Sequence, residues 1–191
     1  MIEYKDRQFI SRDVLYDAGY SQYKIDKMVE AGKLVMINRR FFENPDYDGE
    51  INEFYCVNAY APKGVVCLIS AAVYYGLSTS RPLQIDVALP RRSRVPKTPD
   101  WPQIQFYLFS DERYITGINT ITEDGNQFQI YDKEKTVCDV LFYRNKLGFE
   151  PAVEILKKYL EGQDRDLNKL MKYAANLRTG KLLREYLEVM I

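Results

Sequence analysis

Histidine is absent from all 191 residues of the chain. That removes Ser-His-Asp and Cys-His nucleophile arrangements, HExxH zinc sites and haem carried on a His ligand. Carboxylate, Lys and Tyr chemistry stays open. Cysteine is scarce: Cys56, Cys67 and Cys138 are odd in number, far apart and form no CxxC pair. They read as buried small hydrophobes rather than a disulfide framework or a metal site. Long apolar runs are missing too. The longest, Gly64 to Leu77, is punctuated by Gly and Ser and falls short of the roughly 18 residues of a membrane helix. The opening MIEYKDRQFISRD is charged, with no apolar core of a signal peptide. These absences point to a reduced, cytoplasmic protein with no membrane partner. No P-loop or GxGxxG motif occurs, and no cofactor is expected.

Net charge is also lacking, with 27 Lys and Arg against 27 Asp and Glu. The sum conceals segregation. Lys24 to Phe42 carries five bases (Lys24, Lys27, Lys33, Arg39, Arg40) against Asp26 and Glu30. Arg81, Arg91, Arg92, Arg94 and Lys97 form a second basic tract, relieved only by Asp86. Acidic stretches at 43–54 and 111–134 cancel them. Two basic surfaces on a neutral chain suit phosphate contact by a defined face.

What is present is globular, at 46% hydrophobic residues, enough to build a real core. Two segments separate. In the first, Ser11 can cap a helix from Arg12 to Ala18 that Gly19 stops. Ser21 can cap a second, Gln22 to Ala31, whose Ile25, Met28 and Val29 make an apolar stripe ended by Gly32. Leu34, Met36 and Phe41-Phe42 then flank Asn38-Arg39-Arg40 as a hairpin. Helix, turn, helix, hairpin is the order of a winged helix-turn-helix, expected over residues 1–46. Its first helix would be short or missing, because only Met1 to Gln8 precede Phe9.

Acidic, turn-rich sequence leads to a second domain, expected over 59–191. There the patterns predict a helix at Cys67 to Tyr75 and strands at Leu83 to Leu89 and Ile104 to Phe109. A hairpin, Tyr114 to Ile121 with Gln127 to Tyr131, would turn at Asp124-Gly125. Four helices close the chain. Lys133 to Tyr143 buries Val137, Cys138 and Leu141, and a helix from Pro151 buries Val153, Leu156 and Leu160. Asp166 caps one with Leu167, Leu170, Met171 and Ala174 inward, and Thr179 caps the last, with Leu182, Leu183, Tyr186, Leu187 and Met190. The expected class is α+β: a winged helix-turn-helix, then a mixed α/β domain ending in a helical bundle.

With Ile25, Met28 and Val29 inward, the second helix offers Ser21, Gln22, Tyr23, Lys24 and Lys27 to a groove. Gln reads adenine with two hydrogen bonds, Tyr and Ser bind phosphate oxygens, and Asn38, Arg39 and Arg40 at the wing tip can clamp backbone or minor groove. Asp26 and Glu30 would repel phosphate.

The chain resembles AbiEi-type antitoxins, the transcriptional-regulator half of abortive-infection type IV toxin–antitoxin systems. The resemblance covers most of its length. It lies in GYSQYKIDKMVEAGKLVMINRRFF (Gly19 to Phe42), GVVCLISAAVYYGLS (Gly64 to Ser78), IDVALPRR (Ile85 to Arg92) and IYDKEKTVCDVLFYRNKLG (Ile130 to Gly148). It implies a transcriptional autorepressor whose winged helix binds double-stranded DNA at repeated sites in its own operon promoter. It also implies a C-terminal antitoxin domain counteracting a nucleotidyltransferase-like toxin, with no stable complex required. Lys133, Lys135, Arg144 and Lys146 are the antitoxicity candidates. Read physically, the same run is a helix start: Asp132 caps, Glu134 suits the positive end, and Lys135 pairs with Asp139 at i, i+4.

Two other classes compete. A nucleotidyltransferase needs an Asp-x-Asp pair for two metal ions, and Gly76-Leu77-Ser78 with Asp86-Val87-Ala88 supplies one carboxylate of the two. No enzyme activity is therefore expected, and no catalytic or metal-ligating residue. A winged-helix adaptor that binds protein without DNA is the alternative, and acidic Asp26 and Glu30 would fit it.

Overall fold

A computed structural model describes residues 6–80 and 82–190, the last two of these by backbone alone. The chain is α+β, with two sheets and helices between and around them. No helix among the described residues is long and apolar enough to cross a membrane.

The N-terminal part opens with a strand, β1 (Phe9–Ser11), followed by helices α1 (Arg12–Asp17) and α2 (Gln22–Glu30). A hairpin of β2 (Val35–Met36) and β3 (Phe41–Glu43) follows. Ser11 and Ser21 each accept a hydrogen bond from the backbone three residues on, from Val14 N and Lys24 N, so both expected caps are in place. The sheet runs β1-β3-β2, with Ile10 opposite Phe42. Those two side chains share a small core with Leu15, Ile25, Met28 and Leu34. Phe9 points the other way and packs on the neighbouring core, as strand alternation requires.

That neighbour is reached through α3 (Tyr55–Tyr60), which lies against β1 and β3 on one side and β8 on the other. The second sheet orders as β6-β5-β4-β8-β7. Its strands are β4 (Val65–Val66), β5 (Gln84–Pro90), β6 (Gln103–Phe109), β7 (Ile118–Glu123) and β8 (Asn126–Tyr131). β4 is the two-residue centre, antiparallel to β5 and parallel to β8. One face carries Val66, Ile85, Val87, Phe128 and Ile130 beneath α3. The other carries Val65, Ala88, Phe109 and Tyr131 beneath the helices. These are α4 (Leu68–Tyr74), α5 (Asp111–Ile115), α6 (Lys133–Phe142), α7 (Arg144–Leu147), α8 (Phe149–Glu161), α9 (Leu167–Asn176) and α10 (Gly180–Met190). At the β7–β8 turn, Asp124 and Gly125 both hold positive φ, as a two-residue type I′ turn demands.

Several local expectations are corrected. The strand expected from Tyr114 starts at Ile118 instead. Acidic Asp111 and Glu112 occupy the first turn of α5, and Gly117 at φ +73° separates helix from strand. On α8 the buried stripe is Ala152, Ile155, Leu156 and Tyr159, with Val153 and Leu160 only partly covered. Leu167 and Met171 face outward on α9, whose buried residues are Leu170 and Ala174. Thr179 stands where expected, directly before α10, its carbonyl accepting from Leu183 N at 2.8 Å, while its hydroxyl donates back to the Ala174 carbonyl. Met190 lies outside the described side chains.

Candidate nucleic-acid interface

The second helix and the hairpin tip meet at one residue that composition did not single out, Arg12. Its Nε donates to the Arg39 carbonyl at 2.8 Å, and its Nη1 donates to Gln22 Oε1. Its guanidinium lies 5.0 Å from the ring centre of buried Phe42, and its backbone N–H reaches the Arg40 carbonyl at 2.7 Å. The first turn of α2 and the hairpin tip therefore stand within the span of one guanidinium. A shallow cavity of about 170 Å³ opens beside them, lined by Arg12, Arg39, Arg40 and Pro62 among others.

Of the expected contact residues, Ser21, Tyr23, Lys24, Lys27, Arg39 and Arg40 are exposed. Tyr23 is 73% exposed and has the Lys27 ammonium 5.8 Å from its ring centre. Lys27 also pairs with Glu30 at 2.6 Å, and Lys24 sits 4.4 Å from the ring centre of Tyr20. The acids on α2 are thus partly neutralised within the helix.

Gln22 and Asn38 differ from what residue type suggested. Gln22 Oε1 accepts from Arg12 and from Tyr16 Oη at 2.7 Å, while Nε2 donates to Asp26 at 2.7 Å. Both acceptor sites of the amide oxygen are filled. Its bidentate reading of adenine, which needs that oxygen, is blocked in this arrangement. Asn38 is a structural residue of the tip. Oδ1 accepts from the Arg40 and Phe41 backbone N–H groups at 2.8 and 3.0 Å, and Nδ2 donates to the Ala59 carbonyl of α3 at 2.9 Å. It closes the turn and ties the tip to α3, leaving Arg39 and Arg40 to project.

The second basic tract lies in the connection between parallel strands β5 and β6. Arg91, Arg92, Arg94 and Lys97 are exposed there, and none makes an ion pair among the described residues. Arg81 lies outside the described residues.

The four antitoxicity candidates separate sharply. Lys135 is fully buried and paired with Asp139, itself held by Arg113 from α5. Arg113 also donates to the Leu177 carbonyl at 2.6 Å and stacks 3.8 Å from the centre of Phe142, while Lys135 lies 4.0 Å from that of Tyr131. Burial lowers the Lys135 pKa, opposed by the Asp139 carboxylate. A side chain so enclosed meets no partner from solution, so the contact role expected of Lys135 gives way to an architectural one. Asp132 caps α6 as expected, accepting from Lys135 N at 2.8 Å. Glu134 is buried, accepting from Tyr159 Oη at 2.9 Å and facing Lys169 at 3.0 Å. Although burial opposes its charge, Glu134 and Asp132 raise the Lys169 pKa. Arg144 is half-buried and donates to the Leu141 carbonyl at 3.2 Å. Lys133 is half-buried and bridges to Asp164, whereas Lys146 is exposed with its ammonium 5.0 Å from the centre of Tyr107. Lys146 keeps an exposed charge, whereas Lys133 shares its charge with Asp164 at the surface.

Asp86, the lone carboxylate of the failed Asp-x-Asp pattern, is buried. It is hydrogen-bonded by Tyr107 and by the backbone of Ile69 and Ser70 at the start of α4. Desolvation raises its pKa from 3.8 to about 6 despite those bonds. Among the described residues, no group of three or more Cys, Asp or Glu side chains is placed to hold a metal ion.

No protein-family model matches the chain, and no curated protein matches its sequence. A solved structure with a similar course is the RV2827C protein from Mycobacterium tuberculosis. It is 14% identical, over 91% of this chain and 72% of that one, with a TM-score of 0.46.

Proposed function

We propose that the chain is a DNA-binding transcriptional autorepressor and antitoxin. In this reading residues 9–43 act as a winged helix-turn-helix, with α2 as recognition helix and the β2–β3 hairpin as wing. The observation that carries it is the Arg12 bridge, which holds the first turn of α2 beside exposed Arg39 and Arg40. A recognition helix and a wing must address one duplex together, and exposed guanidinium groups at the tip suit phosphate or a narrow minor groove. Tyr23, Lys24 and Lys27 are the helix contacts of this reading, and Arg91, Arg92, Arg94 and Lys97 offer a second phosphate-facing tract.

The test is a mobility shift with duplex DNA from upstream of the chain's own gene. Wild type binds, and its affinity falls steeply with salt, with a log–log slope of about −0.9 for each phosphate neutralised. Arg39→Ala with Arg40→Ala weakens binding by about 10-fold or more. A wild type that gives no shift overturns the reading in favour of a protein-binding adaptor. Salt-independent binding, or a double variant that binds as wild type, overturns the winged-helix contact.

The antitoxin half rests on the family resemblance and on the surface charge at Lys133 and Lys146. Co-expression with a nucleotidyltransferase-like product of the adjacent gene tests it. The chain restores growth, and Lys133→Ala with Lys146→Ala loses that protection while the DNA shift is kept. A double variant that still protects assigns both residues to the fold.

A further inference from the structure

We propose that Arg12 is a positioning residue for DNA recognition, coupling the recognition helix to the wing through the Gln22 amide and the Arg39 carbonyl. This rests on the DNA-binding reading above and names how that site is set.

Gln22 lies between a group that can only donate, Arg12, and one that accepts when ionised, Asp26. Their order leaves one orientation of the amide: oxygen toward Arg12, nitrogen toward Asp26. The side chain is therefore locked before any duplex arrives. Tyr16, 44% exposed, adds its hydroxyl to the same oxygen. On the other side the Nε of Arg12 holds the Arg39 carbonyl, and the guanidinium lies 5.0 Å from the ring centre of Phe42, which is 1% exposed and packed in the core. The guanidinium thus spans Gln22 on α2 and Arg39 at the hairpin tip, the latter 27 residues beyond Arg12 itself, and fixes the distance between them.

A lysine keeps the charge but not this geometry, because it lacks the planar fork that serves two directions at once. Arg12→Lys therefore separates positioning from phosphate contact. A phosphate contact would keep its effect through charge and would lower the salt slope by about 0.9 when the charge is removed. A positioning group leaves the slope alone and changes discrimination.

The experiment measures the full chain against upstream DNA and a scrambled duplex of equal length, across a salt series, for wild type, Arg12→Lys, Arg12→Ala and Arg12→Lys with Gln22→Ala. Arg12→Lys should lower affinity for the upstream duplex about 10-fold and leave scrambled binding within about two-fold, so that the ratio collapses. The Arg12→Ala slope should match wild type. Adding Gln22→Ala to Arg12→Lys should lower the ratio no further, because the amide is already released. Amide exchange at Arg40 and Phe41 should quicken in the free Arg12→Lys protein. A discriminating wild type with an unchanged Arg12→Lys ratio overturns the role of Arg12 and leaves the DNA reading standing. A slope that drops by about 0.9 in Arg12→Ala makes Arg12 a phosphate contact instead. A wild type that does not distinguish the two duplexes overturns the DNA reading, and this role with it.

Discussion

Lys135 and Asp139 stand one turn apart on α6, joined as an ion pair in which neither side chain has any exposure to solvent. Arg113 reaches the same carboxylate from α5, so one acid holds two cations inside the core. Removing the shared partner is worse than removing either cation, because it strands two charges in a low dielectric. Asp139→Asn is expected to destabilise the protein by about 3–5 kcal/mol. Lys135→Met, which leaves the Arg113–Asp139 pair intact, should lose clearly less. Urea unfolding midpoints check the order, and an Asp139→Asn variant as stable as Lys135→Met would reject it.

Asp86 should make stability fall as pH rises. Its folded pKa of about 6 lies above its ordinary value of 3.8, because burial opposes the carboxylate. Between those values the folded chain holds a proton that the unfolded chain has released, so raising the pH favours unfolding. The loss is complete above about pH 6 and amounts to about 3 kcal/mol. Asp86→Asn cannot ionise. Its stability relative to wild type should improve by about that much between about pH 4 and about pH 8. A difference that stays flat over the range would show that the carboxylate is well solvated.

Elements that depend on neighbouring residues were readable in the sequence; those that depend on distant partners were not. Ser11, Ser21, Asp132 and Asp166 each cap the helix their position announces, because a cap needs only the next three residues. β1 has three residues, too few for an alternation, and becomes a strand only by pairing with β3. β4 is hidden in an apolar run because both its residues are buried, one on each face of the sheet. Arg113 sits in an acidic stretch that reads as surface, and its partner Asp139 lies 26 residues on. In the candidate interface, position marked Gln22 and Asn38 as polar groups near a groove. Which polar groups are already spoken for depends on Arg12, Tyr16 and Ala59, and no local pattern reveals that.

Asn38 should separate the shape of the hairpin tip from its attachment. Asn38→Ala removes three hydrogen bonds and is expected to destabilise the fold by about 1–2 kcal/mol. Amide exchange at Arg40 and Phe41 should quicken, since both N–H groups lose their acceptor. Asn38→Asp keeps that acceptor but turns a carboxylate toward the Ala59 carbonyl. It should therefore lose stability while protecting both amides. Equal exchange in the two variants would show that the tip is ordered by something else.

The three thiols should be silent in the native protein. Cys56 is 2% exposed, and Cys67 and Cys138 are fully buried. Burial pushes the Cys56 and Cys138 thiols up to about 12 and the Cys67 thiol well above its ordinary value. A cysteine reacts with a disulfide reagent as the thiolate, which attacks a reagent sulfur and expels the reagent's other half as a thiolate. The attacking form is scarce here at about pH 8, and access is closed as well. No thiol should react before unfolding, and all three should react in denaturant. Under partial destabilisation Cys56 should be modified first. It belongs to α3, a single six-residue helix over one face of the sheet, whereas Cys67 and Cys138 lie under the helical layer on the other. Peptide mapping of the modified protein gives the order, and simultaneous labelling would mean that both faces of the sheet open as one unit.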